Sequence, residues 1–358
     1  MDKAFTVKEY LRLLEKRSLL KTVKTHYPVF INVLKECLKP KGEEVLIIGD
    51  LGYPRKEAAP LLAGCYALAA KNLNLDLKVG IQDPKKKGEK AAAHIEESLL
   101  ELPPNNIIIA LTSNMLGSMV EIKSFRKFTK KRKHKFLSAS DLSQLSTKNF
   151  PLLVKSIDVD YKEMRKTGNT LKKIFTNAHE LHITSPSGTD LYFNVKGMKA
   201  KANNGDYQKV GTGGNIPCGE TYIPPRGKKV YGKVVIDGSM RTKSGTTLLK
   251  SPIKMKIEEG EVVSIKGEKA RLLESTLKWA YTKAKHPWGI RRIGEFGLGF
   301  NPNADIIGPT VVNEKALGTA HVAIGSNAWF GGSIYAIIHL DQVFRNPKVF
   351  ADGELICL

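Results

Sequence analysis

Val45-Leu46-Ile47-Ile48-Gly49-Asp50-Leu51-Gly52-Tyr53-Pro54 is a short apolar run that stops at a glycine-rich turn. Such a run, bounded by turn residues, is what a strand buried on both faces leaves in a sequence. Downstream, Glu57 to Asn72 carries a helix pattern, Leu75 to Ile81 a second strand, Ala91 to Leu100 a helix and Ile107 to Leu111 a third strand. That alternation predicts an α/β N-terminal domain with a parallel sheet and crossover helices. The turn has neither the third glycine of a dinucleotide fingerprint nor the Gly-Lys-Ser/Thr end of a P-loop. A plain strand-to-helix turn accounts for its glycines.

The texture changes near residue 180. His182 to Thr184 and Leu191 to Val195 flank Ser185-Pro186-Ser187-Gly188-Thr189-Asp190, which predicts a hairpin. Ile253, Met255 and Ile257 alternate with lysines, Glu258-Glu259-Gly260 turns the chain, and Val263 and Ile265 continue the alternation. This is a second hairpin with one wet face. Ala270, Leu273, Leu277, Ala280 and Ala284 share one face of a helix from about Glu268 to Lys285, and Pro287 stops it. The second half therefore reads as an α+β, strand-rich C-terminal domain. The boundary falls between residues 165 and 180, dividing the chain into 1–170 and 171–358.

The 358 residues are 42% hydrophobic and 26% charged, a globular composition. No apolar run approaches the ~20 residues of a membrane span. Met1-Asp2-Lys3-Ala4-Phe5 lacks the basic-then-apolar order of a signal peptide. Cys37, Cys65, Cys218 and Cys357 form no CxxC pair, so reduced thiols in a cytoplasmic protein are expected. The net charge of +22 gathers in runs, chiefly Lys85-Lys86-Lys87 and Lys123 to Lys135. It leaves open a solvated lysine surface or a nucleic-acid partner. Phe125, Phe128 and Phe136 interleave the second run, either as stacking aromatics or as a buried face.

The second half also holds isolated polar residues in unusual settings. Glu220 follows Pro217-Cys218-Gly219. Glu295 lies among the glycines of Gly294-Glu295-Phe296-Gly297-Leu298-Gly299. His321 interrupts the apolar Gly318-Thr319-Ala320-His321-Val322-Ala323-Ile324. His339 and Asp341 are two apart, so on a strand they share a face. Carboxylates and imidazoles are the donors that hard and borderline divalent metals take. Each also has an ordinary reading: Glu220 as a loop residue, Glu295 as a turn cap, His321 as a core histidine, His339 and Asp341 as a hydrogen-bonded pair.

These segments, with Gly188-Thr189-Asp190-Leu191, Pro224 and Asn313-Glu314-Lys315, occur in an order that resembles the aminopeptidase T and aminopeptidase S family of two-metal exopeptidases. The match is dense from about residue 180 and thin before it. The resemblance implies two divalent ions (zinc, cobalt, manganese or magnesium) held by Glu220, Glu295, His321, His339 and Asp341, with Glu295 bridging. It implies a metallo-aminopeptidase acting on peptide substrates through a metal-bridging hydroxide, and homodimer contacts; no membrane partner is expected, from the lack of a long apolar run. Glu314 is a further candidate as ligand, orienter or base. One position departs from the family: where a tyrosine is usual, this chain has Ala328. Tyr335 is the candidate to replace it, or else it is a packed strand residue. The alternatives are a catalytically weakened metal-binding homologue acting as a binding module, and a basic nucleic-acid-binding protein.

Overall fold

The structure, a computed structural model, describes residues 3–357. The chain forms two compact units. One comprises the residues up to Tyr161 together with Gly205–Cys218; the other comprises Lys162–Asn204 and everything from Gly219 on.

The first unit runs through β1 (Lys3–Phe5), α1 (Val7–Lys16), α2 (Leu20–Val33), β2 (Val45–Asp50), α3 (Ala58–Asn72), β3 (Leu77–Gln82), α4 (Ala93–Glu101), β4 (Ile107–Leu111), α5 (Phe125–Lys131), β5 (Lys135–Ala139) and α6 (Phe150–Ile157). The apolar runs of β2 and β4 are buried throughout. Leu46, Ile48, Ile108 and Ala110 pack with Ile95 and Leu99 of α4. The alternate residues, Val45, Ile47, Ile107 and Ile109, are just as deeply buried on the other face. The turn after β2 is tied down by Asp50, whose carboxylate accepts from the backbone N–H groups of Gly52 and Ser113 and from the Ser113 hydroxyl. Phe125 and Phe136 meet edge to face at 5.4 Å, and Phe125 and Phe128 pack against the same core cluster. The phenylalanines of the basic run are thus its buried side.

α7 (Tyr161–Asn177) carries the chain into the second unit, through β6 (Glu180–Thr184), β7 (Asp190–Asn194) and β8 (Lys201–Asn203). β9 (Gly213–Asn215) then returns to the first unit and pairs parallel with β5. The first sheet has the order β1-β3-β2-β4-β5-β9, parallel except for β1.

The second unit continues with β10 (Glu220–Ile223), β11 (Val230–Ile236), β12 (Ser239–Thr242), β13 (Gly245–Leu248), β14 (Ile253–Glu258), β15 (Glu261–Lys266), α8 (Ala270–Lys283), β16 (Ile293–Gly299), α9 (Thr310–Asn313), β17 (Thr319–Gly325), β18 (His339–Arg345), β19 (Lys348–Ala351) and β20 (Glu354–Leu355). They form two seven-stranded antiparallel sheets, β15-β14-β11-β7-β6-β19-β20 and β13-β12-β18-β17-β16-β10-β8. The core lies where Phe193 of the first meets Phe296 of the second, with ring centroids 5.9 Å apart. The expected α/β unit and strand-rich unit are both present. No described helix is long and apolar enough to cross a membrane.

Candidate metal centre

Residues in register across an antiparallel sheet share a face. Tyr222 pairs with Gly297 and Lys201, Gly297 with His321, Glu295 with Ala323, Ala323 with Asp341, and Gly325 with His339. One face therefore gathers Glu220 and Tyr222 from β10, Glu295 from β16, His321 from β17, and His339 and Asp341 from β18. The other face presents Phe296, Val322 and Leu340 to the buried interior. Gly297, Ala323 and Gly325 occupy the places between the polar groups and leave room above the sheet. A Cβ on Gly297 would lie 2.1 Å from Cε1 of His321. The imidazole rests directly on the neighbouring strand, and only glycine permits that approach.

His321 Nε2 is 3.2 Å from Glu295 Oε1 and 3.8 Å from Glu220 Oε2. His339 Nε2 is 3.1 Å from Asp341 Oδ1 and 3.6 Å from Glu295 Oε2. Glu295 thus stands between the two imidazoles. His339 Nδ1 is 2.8 Å from the Ser326 carbonyl oxygen, which can only accept. The Nδ1–H is therefore committed to the backbone, and Nε2 is left to face the carboxylates. Two lone-pair bearers in contact require a proton or a cation between them. Glu295 Oε2 and His321 Nδ1 are buried without a hydrogen-bond partner.

Beside this group sits an ion pair that is not on a strand. Lys315 follows α9 and is fully buried, with its ammonium 2.6 Å from Glu220 Oε1 and against Glu314 Oε1. Its turn is knit by Asn313, which accepts from the N–H groups of Ile307 and Gly308 and donates to Ser239 Oγ. Arg241 of β12 is largely buried and feels the charges of Asp341 and Glu314.

Burial and the field inside this cluster shift five of its groups. Burial works against the imidazolium of His321, but the hydrogen bond to Glu295 and the carboxylates nearby outweigh it and raise the pKa to about 9. Burial is likewise overcome at His339 by Asp341 and Glu295, which raise it to about 10. Burial pushes Glu295 up against the pull of both histidines. Burial also opposes the Asp341 anion, yet His339 and His321 hold its carboxyl well below the usual range. At Glu314, burial outweighs the pull of Lys315 and, with Glu220 and Asp341 beside it, lifts the carboxyl to about 8.

The donor set fits a metal. Glu295, His321 and Asp341 offer ligand atoms within 4.8 Å of one another, as do Glu220, Glu314 and His321. Of the sequence-predicted residues, Glu220, Glu295, Glu314, His321, His339 and Asp341 come together. Among the described residues no hydrogen bond joins Tyr335 to them; it is 65% exposed on the segment leading into β18. Sequence reasoning quoted Lys315 without giving it a role and missed Arg241, because nothing local distinguishes these two cations among 57 lysines and arginines. It also missed Trp329 and Phe330, whose rings stand 5.4 Å and 6.5 Å from that of His339. The two aromatics adjacent to Ala328 were the available signal.

The strand-rich unit and its carboxylate–imidazole floor define a protein with the fold of aminopeptidase T and a site able to take a metal. The sequence model of the NicX family, 2,5-dihydroxypyridine 5,6-dioxygenase, matches residues 25–358, and the chain belongs to that family. The structure of 2,5-dihydroxypyridine dioxygenase from Pseudomonas putida superposes with a TM-score of 0.71 at 16% identity, over 94% of this chain and 96% of that one. Wild-type AmpT from Thermus thermophilus superposes with a TM-score of 0.65 at 15% identity, over 93% and 99%. No curated protein matches the chain. The expectation of a hydrolase, an aminopeptidase taking part in proteolysis, is therefore corrected. The family is one of dioxygenases, and the likeness to AmpT is of fold alone. The physical reason for the misreading is that shared donor residues specify a metal and not a reaction.

Proposed function

We propose that this protein is a metal-dependent dioxygenase that opens a dihydroxylated pyridine ring. The observation that carries the reading is the meeting of His321, His339, Asp341 and Glu295 on one sheet face. Two imidazoles and a carboxylate with open positions are the donor set of non-haem ferrous oxygenases. The room available favours one ion rather than two. Lys315 already occupies the space between Glu220 and Glu314 that a second ion would need.

His321, His339, Asp341 and Glu295 would hold a ferrous ion, which would supply open positions for dioxygen and the ring. The chain's own groups do the rest. The Ser326 carbonyl fixes the tautomer of His339. Glu295 orients both imidazoles. Glu314, titrating near neutrality, takes the proton of a ring hydroxyl. Both oxygen atoms end in the product as the ring carbon–carbon bond breaks, and no outside reductant is needed. Cys37, Cys65 and Cys218 are buried thiols outside any disulfide, which supports a reducing, cytoplasmic setting.

The test is oxygen uptake by anaerobically prepared, iron-loaded protein given 2,5-dihydroxypyridine, alongside the ring's absorbance. The expected result is one dioxygen per ring lost, abolished in His321→Ala. Iron-bound protein that consumes no oxygen with any dihydroxypyridine refutes the reading.

A further inference from the structure

A cavity of about 410 Å³ opens beside the cluster, lined by Gly197, Met198, Lys199, Lys201, Trp329 and Phe330. That is the size range of small-ligand sites. The larger hollow of about 600 Å³ beside Glu15, Lys21 and Lys24 has no aromatic wall and no candidate metal ligand. The smaller cavity shares a wall with the candidate centre. Trp329 and Phe330 are packed edge to face at 4.6 Å, and both face the ring of His339. Tyr222 backs them, 5.2 Å from Phe330. Trp329 is 49% exposed, so an apolar plane is presented to whatever enters.

The lining also carries two cations. Lys199 and Lys201 are exposed and have no ion-pair partner among the described residues. Lys201 lies in register with Tyr222, which is in register with Gly297, which is in register with His321. Three strand spacings of about 4.8 Å separate Lys201 from His321, a distance that one ring with a substituent and a lysine side chain together span. A flat aromatic surface next to a metal ligand holds a planar ring. A pair of lysines beyond it holds a negative group on that ring.

Resting on the oxygenase reading, we infer that this cavity is the substrate subsite and that its ligand is a hydroxylated pyridine or benzene ring bearing a carboxylate. The ring stacks on Trp329 and Phe330, and the carboxylate meets Lys199 and Lys201. The subsite selects acidic rings over their uncharged parents.

Calorimetric titration of the metal-loaded, oxygen-free protein tests this, with 2,5-dihydroxypyridine and a 2,5-dihydroxypyridine carboxylate as probes. The carboxylated ring is expected to bind at least tenfold tighter, with the advantage shrinking as salt rises. The double variant Lys199→Met, Lys201→Met should erase that advantage and leave the parent ring's affinity in place. Trp329→Ala should weaken both. Equal affinity for the two probes in the wild type, or an advantage that survives in the double variant, overturns the inference. Lysine-dependent binding without oxygen uptake would keep the subsite and remove the oxygenase reading. Oxygen uptake with no preference for the acid would do the reverse.

Discussion

Replacing Gly297 with alanine puts a methyl carbon 2.1 Å from Cε1 and 2.3 Å from Nε2 of His321. Carbon atoms settle at about 3.5 Å or more, so the ring must retreat by roughly 1.4 Å. His321 Nε2 is 3.2 Å from Glu295 in the native geometry, and a shift of that size takes the nitrogen off the point where the other donors converge. A misplacement of about 1 Å costs on the order of 100-fold in rate, and overpacking costs about 1–3 kcal/mol of stability. Iron content after dialysis, oxygen uptake and a thermal melt should be measured on Gly297→Ala and His321→Ala together. Both are expected to lose iron and turnover, with Gly297→Ala still folded. A Gly297→Ala protein that keeps full iron and wild-type turnover would show that His321 is no ligand from this position.

Lys315→Met removes one partner of a buried charge cluster, and denaturant titration should show a loss of about 3–5 kcal/mol; if Glu220, Glu314 and His321 are thereby freed, metal analysis should find more than one ion per chain. Unchanged stability and unchanged metal content would refute the role given to the ammonium. With His321 raised to about 9 and His339 to about 10, both rings are charged at pH 7 without metal. Metal uptake there should release close to two protons, read by calorimetry in buffers of differing ionisation heat, and affinity should climb with pH until those values are passed. No proton release would remove the imidazoles from the ligand set. For the metal-free protein, raised values mean that these rings stabilise the fold below about 6.5 and cease to as pH rises through 9 to 10. In the first unit, burial holds His134 down to about 4, while an unfolded chain takes that proton near pH 6.5. Between those values the unfolded state binds more protons, so stability falls as pH is lowered, by about 3 kcal/mol at full extent. Urea midpoints at pH 7 and pH 4.5 should differ less in His134→Gln than in wild type; an equal difference would place the acid sensitivity elsewhere.

Much of the fold was legible because burial on both faces writes itself as unbroken apolar runs, as in β2 and β4, and burial on one face as alternation, as in β14. β9 was not legible: Gly213-Gly214-Asn215 has no apolar pattern, and its place is set by pairing with residues 136–138. The site was legible residue by residue, since a glutamate or histidine inside a glycine-rich or apolar strand has few ordinary reasons to be there. Lys315 and Arg241 were not, because their burial is decided by Glu220, Glu314 and Asp341, which lie far off in sequence. The reaction was least legible. The substitution at Ala328 marked a break with the peptidases, but only the packing of Trp329 and Phe330 against His339 shows what stands at that place.

Lys315 has a consequence for how the protein comes into being. The four carboxylates are drawn from segments spread over more than a hundred residues, from Glu220 to Asp341, and they meet only when the long-range strand pairings close. A domain that relies on an outside ion to quiet such repulsion stays unfolded until the ion arrives, as small zinc domains do. Here a counterion is covalently part of the chain and is delivered with the strands. Folding can therefore run to completion in a metal-poor cell, and a metal, when one is taken up, enters a finished framework.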